Sequence, residues 1–185
     1  MAASPGYEAQ ILNRAGDLCL RDGDDTLALR YFGRAIDAYL RAGRGRAAAA
    51  LCRKVIRAAP DVVRARRTLA LLAIAEGDLA EALEQVEEYV RAARSRGDVE
   101  LAMLQLRVMA DAAPSRPFRA RVAELLSEMG DRFWAEQIGQ SVPAQPASNE
   151  PIPEEPAARW SKVTQAALQG PDEVRRAAKR IAFAP

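Results

Sequence analysis

The chain has 185 residues, of which 49% are hydrophobic, and its formal net charge at pH 7 is +2. A chain of this length can bury one substantial core, so we expect one domain with tails. It contains no histidine and only two cysteines. These counts exclude imidazole-dependent catalytic triads and argue against a zinc site or a disulfide framework. We therefore predict a protein that is not an enzyme and that holds no metal or cofactor.

The absence of recognisable targeting signals predicts a cytoplasmic protein. No apolar run approaches the roughly 18 to 20 residues that span a bilayer, so no transmembrane segment is predicted. The first ten residues, MAASPGYEAQ, lack the basic and apolar regions of a secretory signal. The absence of a cysteine framework also fits a reducing compartment.

Helical periodicity runs through most of the chain, and strand signals are scarce, which predicts an all-α fold. The predicted helices cover residues 7–22, 25–42, 45–59, 62–76, 79–96, 99–113, 115–129 and 132–141. Glycine or proline stands at each break, and aspartate often follows. Glycine accepts the left-handed conformation that ends a helix, and aspartate caps the helix that follows.

These breaks recur at a fixed distance along the chain. Gly23, Gly77 and Gly130 are 54 and 53 residues apart, and Ala-Ala-Pro at 58–60 returns at 112–114. Three helices therefore form a unit that occurs twice, with one more helix at each end. A period of this size is typical of stacked helical repeats.

Within each unit the spacing resembles the tetratricopeptide repeat, which has a small residue on its first helix, a Gly-Asp turn, and alanines flanking a large residue on its second helix. The first copy consists of Leu12, Ala15, Gly16, Gly23-Asp24, Ala28, Phe32 and Ala35. The second includes Tyr39, Gly43, Ala48, Cys52 and Pro60, and the third includes Leu69, Ala70, Gly77-Asp78 and Ala82. Further matches are Gly97-Asp98, Ala102, Leu106 and Pro114, and finally Ala123, Gly130-Asp131 and Ala135. The resemblance covers roughly residues 7–141 and implies an α-α superhelix, a helical-repeat solenoid. The motif advances alternately by 20 and 34 residues, so equivalent helices exchange layers from one unit to the next.

The composition changes after the repeats. Residues 142–158 are rich in proline and glutamate and predict an extended linker. Residues 159–185 form a tail with a short, basic amphipathic helix predicted at 172–183. This tail either stays solvated or docks on a partner, on an anionic membrane surface or in the groove of its own solenoid. The apolar residues expected to anchor a docked tail are Trp160, Val174, Ile181 and Phe183.

The resemblance implies a protein–protein interaction module, an adaptor or scaffold that binds a peptide or a partner helix. Arg64, Arg67 and Arg121 fall where some tetratricopeptide domains hold basic residues that grip a peptide carboxylate. Asn13 and Asp17 stand at the companion positions, where that clamp has lysine and asparagine. These five residues are the predicted partner-binding residues, and an acidic peptide is the predicted ligand.

Two other functions remain open from the sequence. A structural subunit would assemble through its tail or its convex face. A nucleic-acid-associated regulator is suggested by residues 23–76, which hold eleven Arg or Lys against five acids. The basic residues are not repeated as a set, since Arg57 aligns with Asp111, and few aromatic residues are available for stacking. The nucleic-acid signal is therefore weak.

Two further residue types are interpreted as structural. Cys52 aligns with Leu106 at an offset of 54, which predicts an apolar packing position. Cys19 is likewise expected to pack in the core. Phe133 and Trp134 are expected to seal the open end of the helical stack.

Overall fold

The computed structural model describes residues 5–113, 115–140 and 156–170, and this part of the chain consists of nine α-helices without a strand. The helices are α1 (Pro5–Arg21), α2 (Asp25–Arg41), α3 (Gly45–Ala58), α4 (Val63–Glu76), α5 (Leu79–Arg96), α6 (Val99–Ala112), α7 (Arg116–Glu128), α8 (Arg132–Gln140) and α9 (Pro156–Leu168). The predicted all-α helical-repeat fold is confirmed, and α1 to α8 begin and end within a few residues of the predicted bounds.

The helix ends show why the breaks fall where they do. All five glycines at the predicted Gly-containing breaks, Gly23, Gly43, Gly77, Gly97 and Gly130, have positive φ, between 67° and 95°. In this conformation a side chain would be strained, so glycine ends each helix at little cost. At three turns the following aspartate accepts a hydrogen bond from the first turn of the next helix, with distances of 2.9 Å from the Leu27 amide to Asp24, 3.0 Å from the Glu81 amide to Asp78 and 3.3 Å from the Trp134 amide to Asp131.

The first eight helices pack in two layers. Successive helices are neighbours, with the tightest pairing in α1–α2, α4–α5 and α7–α8. Additional contacts join α4 to α6, α6 to α8, and α5 to α7. Odd-numbered helices therefore form one layer and even-numbered helices the other, which is the arrangement of a helical solenoid.

Small residues let the helices approach one another. Ala28, Ala48, Ala82 and Ala102 are completely buried, and so are Cys52 and its equivalent Leu106. The pairs at an offset of 54 thus occupy equivalent core positions, and the interpretation of Cys52 as a packing residue is confirmed. Cys19 is half-buried and packs against the same core.

The end of the stack at α8 differs from expectation. Trp134 packs against the core, and its ring lies 4.6 Å from the guanidinium carbon of Arg107. Phe133 contacts the edge of Trp134 but remains 63% exposed. The expectation that both rings seal this end is wrong for Phe133, because successive helical residues point about 100° apart and on α8 it is Trp134 that points toward the core.

Helix α9 is the main difference from the predicted architecture, because no helix was predicted from the sequence at this position. It starts at Pro156, inside the segment predicted as linker, and continues into the predicted tail. It packs mainly against α4 and also contacts α2 and α6. The predicted helix at 172–183, with Val174, Ile181 and Phe183, lies outside the described residues, as do residues 142–155 of the predicted linker.

Candidate partner-binding face

The even-numbered layer presents a surface that already holds a helix. Residues of α2, α4 and α6 that contact α9 form what we call the α2–α4–α6 face. Three helices of one layer supply this surface, and α9 packs against them as an additional helix. The face can therefore accommodate a helical segment, and α9 shows which side chains such a segment uses.

Helix α9 presents a narrow apolar stripe to this face. Val163 and Ala167 are fully buried, and Ala166 is 5% exposed. Trp160 is partly buried against the same core. The spacing of Trp160, Val163 and Ala167 is i, i+3 and i+7, which keeps the three side chains on one side of an α-helix. On the opposite side, Gln165 is exposed.

The N-terminal half of α9 is held by a contact between Trp160, the fifth residue of the helix, and Gly45, the first residue of α3. A Cβ atom on Gly45 would overlap ring carbons Cη2 and Cζ3 of Trp160. The indole ring therefore fits only because glycine leaves this space free. An open cleft of about 880 Å³ borders the ring and is lined by Arg44, Arg46, Ala47, Glu76 and Asp78, among others.

The last turn of α9 is held by Arg67 of α4. Its Nη2 donates a hydrogen bond to the carbonyl oxygen of Ala167 at 2.8 Å, and its Nη1 donates to that of Gln169 at 3.4 Å. Carbonyl groups at the C-terminus of a helix lack partners within the helix, and a cation there also meets the negative end of the helix dipole. Arg67 therefore caps α9 from the solenoid.

The environment of Arg67 is unusual for an arginine. The residue is only 7% exposed, and burial lowers the pKa of its guanidinium from the ordinary value. Its Nε has no hydrogen-bond partner, and no carboxylate among the described residues forms an ion pair with it. A buried charge without a counter-ion costs several kcal/mol, so α9 satisfies Arg67 only in part.

Arg64 lies one turn before Arg67 on α4 but has a different partner. It forms an ion pair with Asp37 of α2 at 2.5 Å, while its own side chain is half exposed. An exposed ion pair of this kind contributes little to stability, about 1 kcal/mol at most. Arg64 and Arg67 are the two predicted partner-binding residues that lie in the even-numbered layer, three positions apart on α4, and Arg67 is the one that contacts α9.

The other three predicted residues lie elsewhere. Asn13 and Asp17 of α1 both accept hydrogen bonds from Lys54 of α3, at 3.1 Å for Asn13. Arg121 of α7 donates to Glu87 of α5 at 2.8 Å. These contacts are in the odd-numbered layer, so the five residues do not converge on one carboxylate. Hydrogen bonds with Glu124 and Glu87 raise the pKa of Arg121, which keeps it charged.

The odd-numbered layer carries a series of ion pairs along its length. Lys54 pairs with Asp17, Arg53 with Glu81, and Arg121 with Glu87, so the pairs join α1 to α3, α3 to α5, and α5 to α7. The basic residues of the first unit are thus partly neutralised by acids on both sides. This arrangement favours a solvated, salt-bridged surface over a phosphate-binding stripe.

The described residues show no catalytic cluster. No group of three or more Cys, Asp or Glu residues in this part of the chain could hold a metal ion. Burial raises the pKa of the Cys52 thiol to about 12, so this cysteine is not an activated nucleophile. No helix of the described ranges is long and apolar enough to cross a membrane.

The buried stripe of α9 was not predicted from the sequence, although signals for the helix were present. Val163, Ala166 and Ala167 were not chosen as docking residues, whereas Trp160 was. Pro156 stands at the first helical position and Gly170 follows the last turn, which are common markers of helix ends. What the sequence could not indicate is that Arg67 is the residue that caps α9, because the two residues are 100 positions apart.

Two layers of consecutive helices, joined by Gly-Asp turns and packed through small residues, define an α-helical repeat protein. The family model for the tetratricopeptide repeat matches residues 39–108, from the end of α2 through most of α6. This part of the chain is therefore similar to the tetratricopeptide repeat, and repeats of that family generally mediate protein–protein interactions and are typically not catalytic. Comparison of the chain with curated proteins returns no match.

Proposed function

We propose that this protein is a non-catalytic adaptor or scaffold that binds an amphipathic helix of a partner protein on its α2–α4–α6 face. The observation that carries the proposal is α9, a short amphipathic helix seated across three helices of one layer. Burying an apolar helix face in a groove between helices is a common mode of peptide recognition. The two free cysteines fit a reducing compartment, so we place this activity in the cytoplasm.

The chemistry of the face supports an acidic partner. Arg67 contacts α9 and has no carboxylate counter-ion among the described residues, and Arg64 lies three positions before it on α4. A carboxylate from a partner would form charge-assisted hydrogen bonds with the guanidinium, which are stronger than the bonds to the neutral carbonyl groups of α9. Of the five partner-binding residues predicted from the sequence, the proposal therefore retains these two arginines.

A peptide selection with face-specific variants tests this proposal. A displayed library of helical 15-residue peptides is selected on the wild-type protein and on Val163→Asp, in which α9 is weakened. Selected peptides are then titrated against Arg67→Glu and against Arg121→Glu. Both variants reverse one arginine, but Arg121 lies in the odd-numbered layer and serves as the control.

We expect acidic, amphipathic peptides that lose at least tenfold in affinity with Arg67→Glu and little with Arg121→Glu. Amide chemical shifts should change in α2, α4 and α6 when the peptide binds. Peptides that bind both variants equally, or that shift only α1, α3, α5 and α7, would refute the α2–α4–α6 face as the interaction surface.

A second function, as a structural subunit that assembles through its outer helices, is favoured by a separate observation. On α1, the terminal helix of the stack, Tyr7, Ile11 and Leu18 are 59%, 50% and 52% exposed. Their spacing places them on one side of the helix, and such an apolar stripe is a common association surface. Sedimentation of the wild-type protein and of a Tyr7→Ser, Ile11→Ser double variant would test it, since an assembling subunit should lose mass in the variant.

A further inference from the structure

The contact of α9 with the α2–α4–α6 face has features of one that another helix could replace. Its central part is well packed, with Val163 and Ala167 fully buried. Its C-terminal end is not fully satisfied, because Arg67 Nε and Gln169 Oε1 are both buried without a hydrogen-bond partner among the residues that the structure describes. Each such group costs free energy that a better-matched ligand would recover. The complementarity is therefore high in the middle of the helix and incomplete at one end.

Covalent connection explains how an imperfect helix can still occupy the face. Residues 141–155 join α8 to α9 within the same chain. A ligand tethered by a short segment is present at an effective concentration on the order of 1 mM. A peptide with a dissociation constant on the order of 10 μM would then occupy the face about 99% of the time. Weak intrinsic affinity is thus sufficient for α9 to stay bound.

We propose that α9 is an intramolecular competitor for the partner helix, and that partner binding requires α9 to leave the α2–α4–α6 face. The inference rests on the proposed function of that face and adds the recognition pattern and its regulation. A partner helix that displaces α9 carries an aromatic residue in its N-terminal half, which takes the place of the Trp160 ring against Gly45. Val or a similar residue follows three positions later, and alanine at the seventh position faces α4. Its C-terminal end lies against Arg67.

The small residues in this pattern have a physical reason. Val163, Ala166 and Ala167 lie at the closest approach of α9 to the solenoid and have little exposed surface. A larger side chain at these positions would push the helix away from α4, since buried interfaces tolerate little added volume. Selectivity for a helix with small residues at its centre and an aromatic residue at its N-terminal end follows from this geometry.

A binding experiment with the chain's own helix as the probe tests the inference. A labelled peptide of residues 156–170 is titrated by fluorescence anisotropy against three full-length proteins: wild type, Val163→Asp and Gln165→Asp. The two variants introduce the same residue on the same helix. Val163 is fully buried whereas Gln165 is exposed, so only the first should release α9.

We expect Val163→Asp to bind the peptide about 100-fold more tightly than wild type or Gln165→Asp, because a competitor that occupies the face 99% of the time reduces the apparent affinity by that factor. The same Val163→Asp change made in the peptide should abolish binding, and Gln165→Asp in the peptide should not.

The outcomes separate the inference from the proposed function. If all three proteins bind the peptide equally, the face binds helices but α9 does not compete, and the inference is overturned. If none of them binds while circular dichroism shows that each is folded, the face does not bind free helices, and the proposed function fails as well.

A second variant keeps the test valid if Val163→Asp does not fold. Thr164→Pro places proline in the interior of α9, where it removes a backbone hydrogen bond and breaks the helix without placing a charge against the core. The same gain in peptide binding is expected, and its absence in a folded Thr164→Pro protein would overturn the inference.

Discussion

Replacing Gly45 with alanine should release Trp160 from the solenoid. Gly45 is the first residue of α3 and has no positive φ, so its backbone accepts alanine. The added Cβ would overlap two ring carbons of Trp160, lying about 1 Å inside normal contact distance. The indole ring must therefore move, and the N-terminal half of α9 loses its contact with α3.

The size of this effect can be estimated from the contact. Displacing the ring exposes on the order of 100 Å² of apolar surface, which corresponds to about 2.5 kcal/mol. A ring that keeps part of its burial after moving loses less, about 1.5 kcal/mol, and the better helix propensity of alanine does not count, because α3 is helical whether α9 is docked or free. Docking of α9 should thus weaken by about 1.5 to 2.5 kcal/mol, a 10- to 70-fold fall in the ratio of docked to free helix.

Tryptophan fluorescence provides the assay. In a Trp134→Phe background, Trp160 is the remaining tryptophan, and its emission should shift to longer wavelength in Gly45→Ala. Hydrogen exchange of the α9 amides should accelerate by the same 10- to 70-fold. Gly6→Ala is the matched control, because its Cβ would meet only the flexible guanidinium end of Arg44. The reasoning would be refuted if Gly45→Ala left the Trp160 emission unchanged and if its α9 amides exchanged no faster than those of the protein with Gly45.

Two further predictions concern the core of the solenoid. Gly16→Ala places a Cβ 2.5 Å from the buried ring of Phe32, so we expect a loss of about 1 to 3 kcal/mol in urea unfolding, whereas Gly139→Ala, with open space around it, should be neutral or slightly stabilising. The Cys52 thiol has its pKa raised from near 9 to about 12 by burial, so the unfolded chain ionises first as pH rises. The contribution of this thiol to the free energy of unfolding is therefore fully present below pH 9. It is lost as the pH rises from 9 to 12, at up to about 1.4 kcal/mol per pH unit. Urea unfolding at pH 8, 9 and 10 should show a shallower decline in Cys52→Ala; equal slopes would contradict the assignment.

Much of the repeat architecture was predictable because it depends on local features. Glycine at residues 23, 43, 77, 97 and 130 ends a helix through its own backbone conformation, whatever packs nearby. The equivalence of Cys52 and Leu106 was visible from their spacing, since repeated units place equivalent residues in equivalent core positions. The same reasoning failed for Phe133, where the direction of one side chain decided which ring faces the core.

The predicted partner-binding residues show the limit of motif matching. Asn13, Asp17, Arg64, Arg67 and Arg121 were chosen by their alignment to a family pattern in which helices alternate regularly. A three-helix period moves equivalent helices between layers, so Arg121 lies on the odd-numbered side with Glu87, while Arg67 lies on the even-numbered side with α9. Their role in binding a partner remains a prediction, and the proposed function uses only Arg64 and Arg67.

By itself, the sequence determined the first eight helices, their breaks, the repeat and its resemblance to the tetratricopeptide repeat, because turn residues and apolar periodicity act over a few positions. Only the tertiary structure decided that residues 156–168 form a helix across α2, α4 and α6, that Gly45 makes room for Trp160, and that Arg67 caps its far end. These contacts join residues about 100 positions apart. Their formation depends on which surfaces the folded stack leaves open, and short-range patterns carry no information about that.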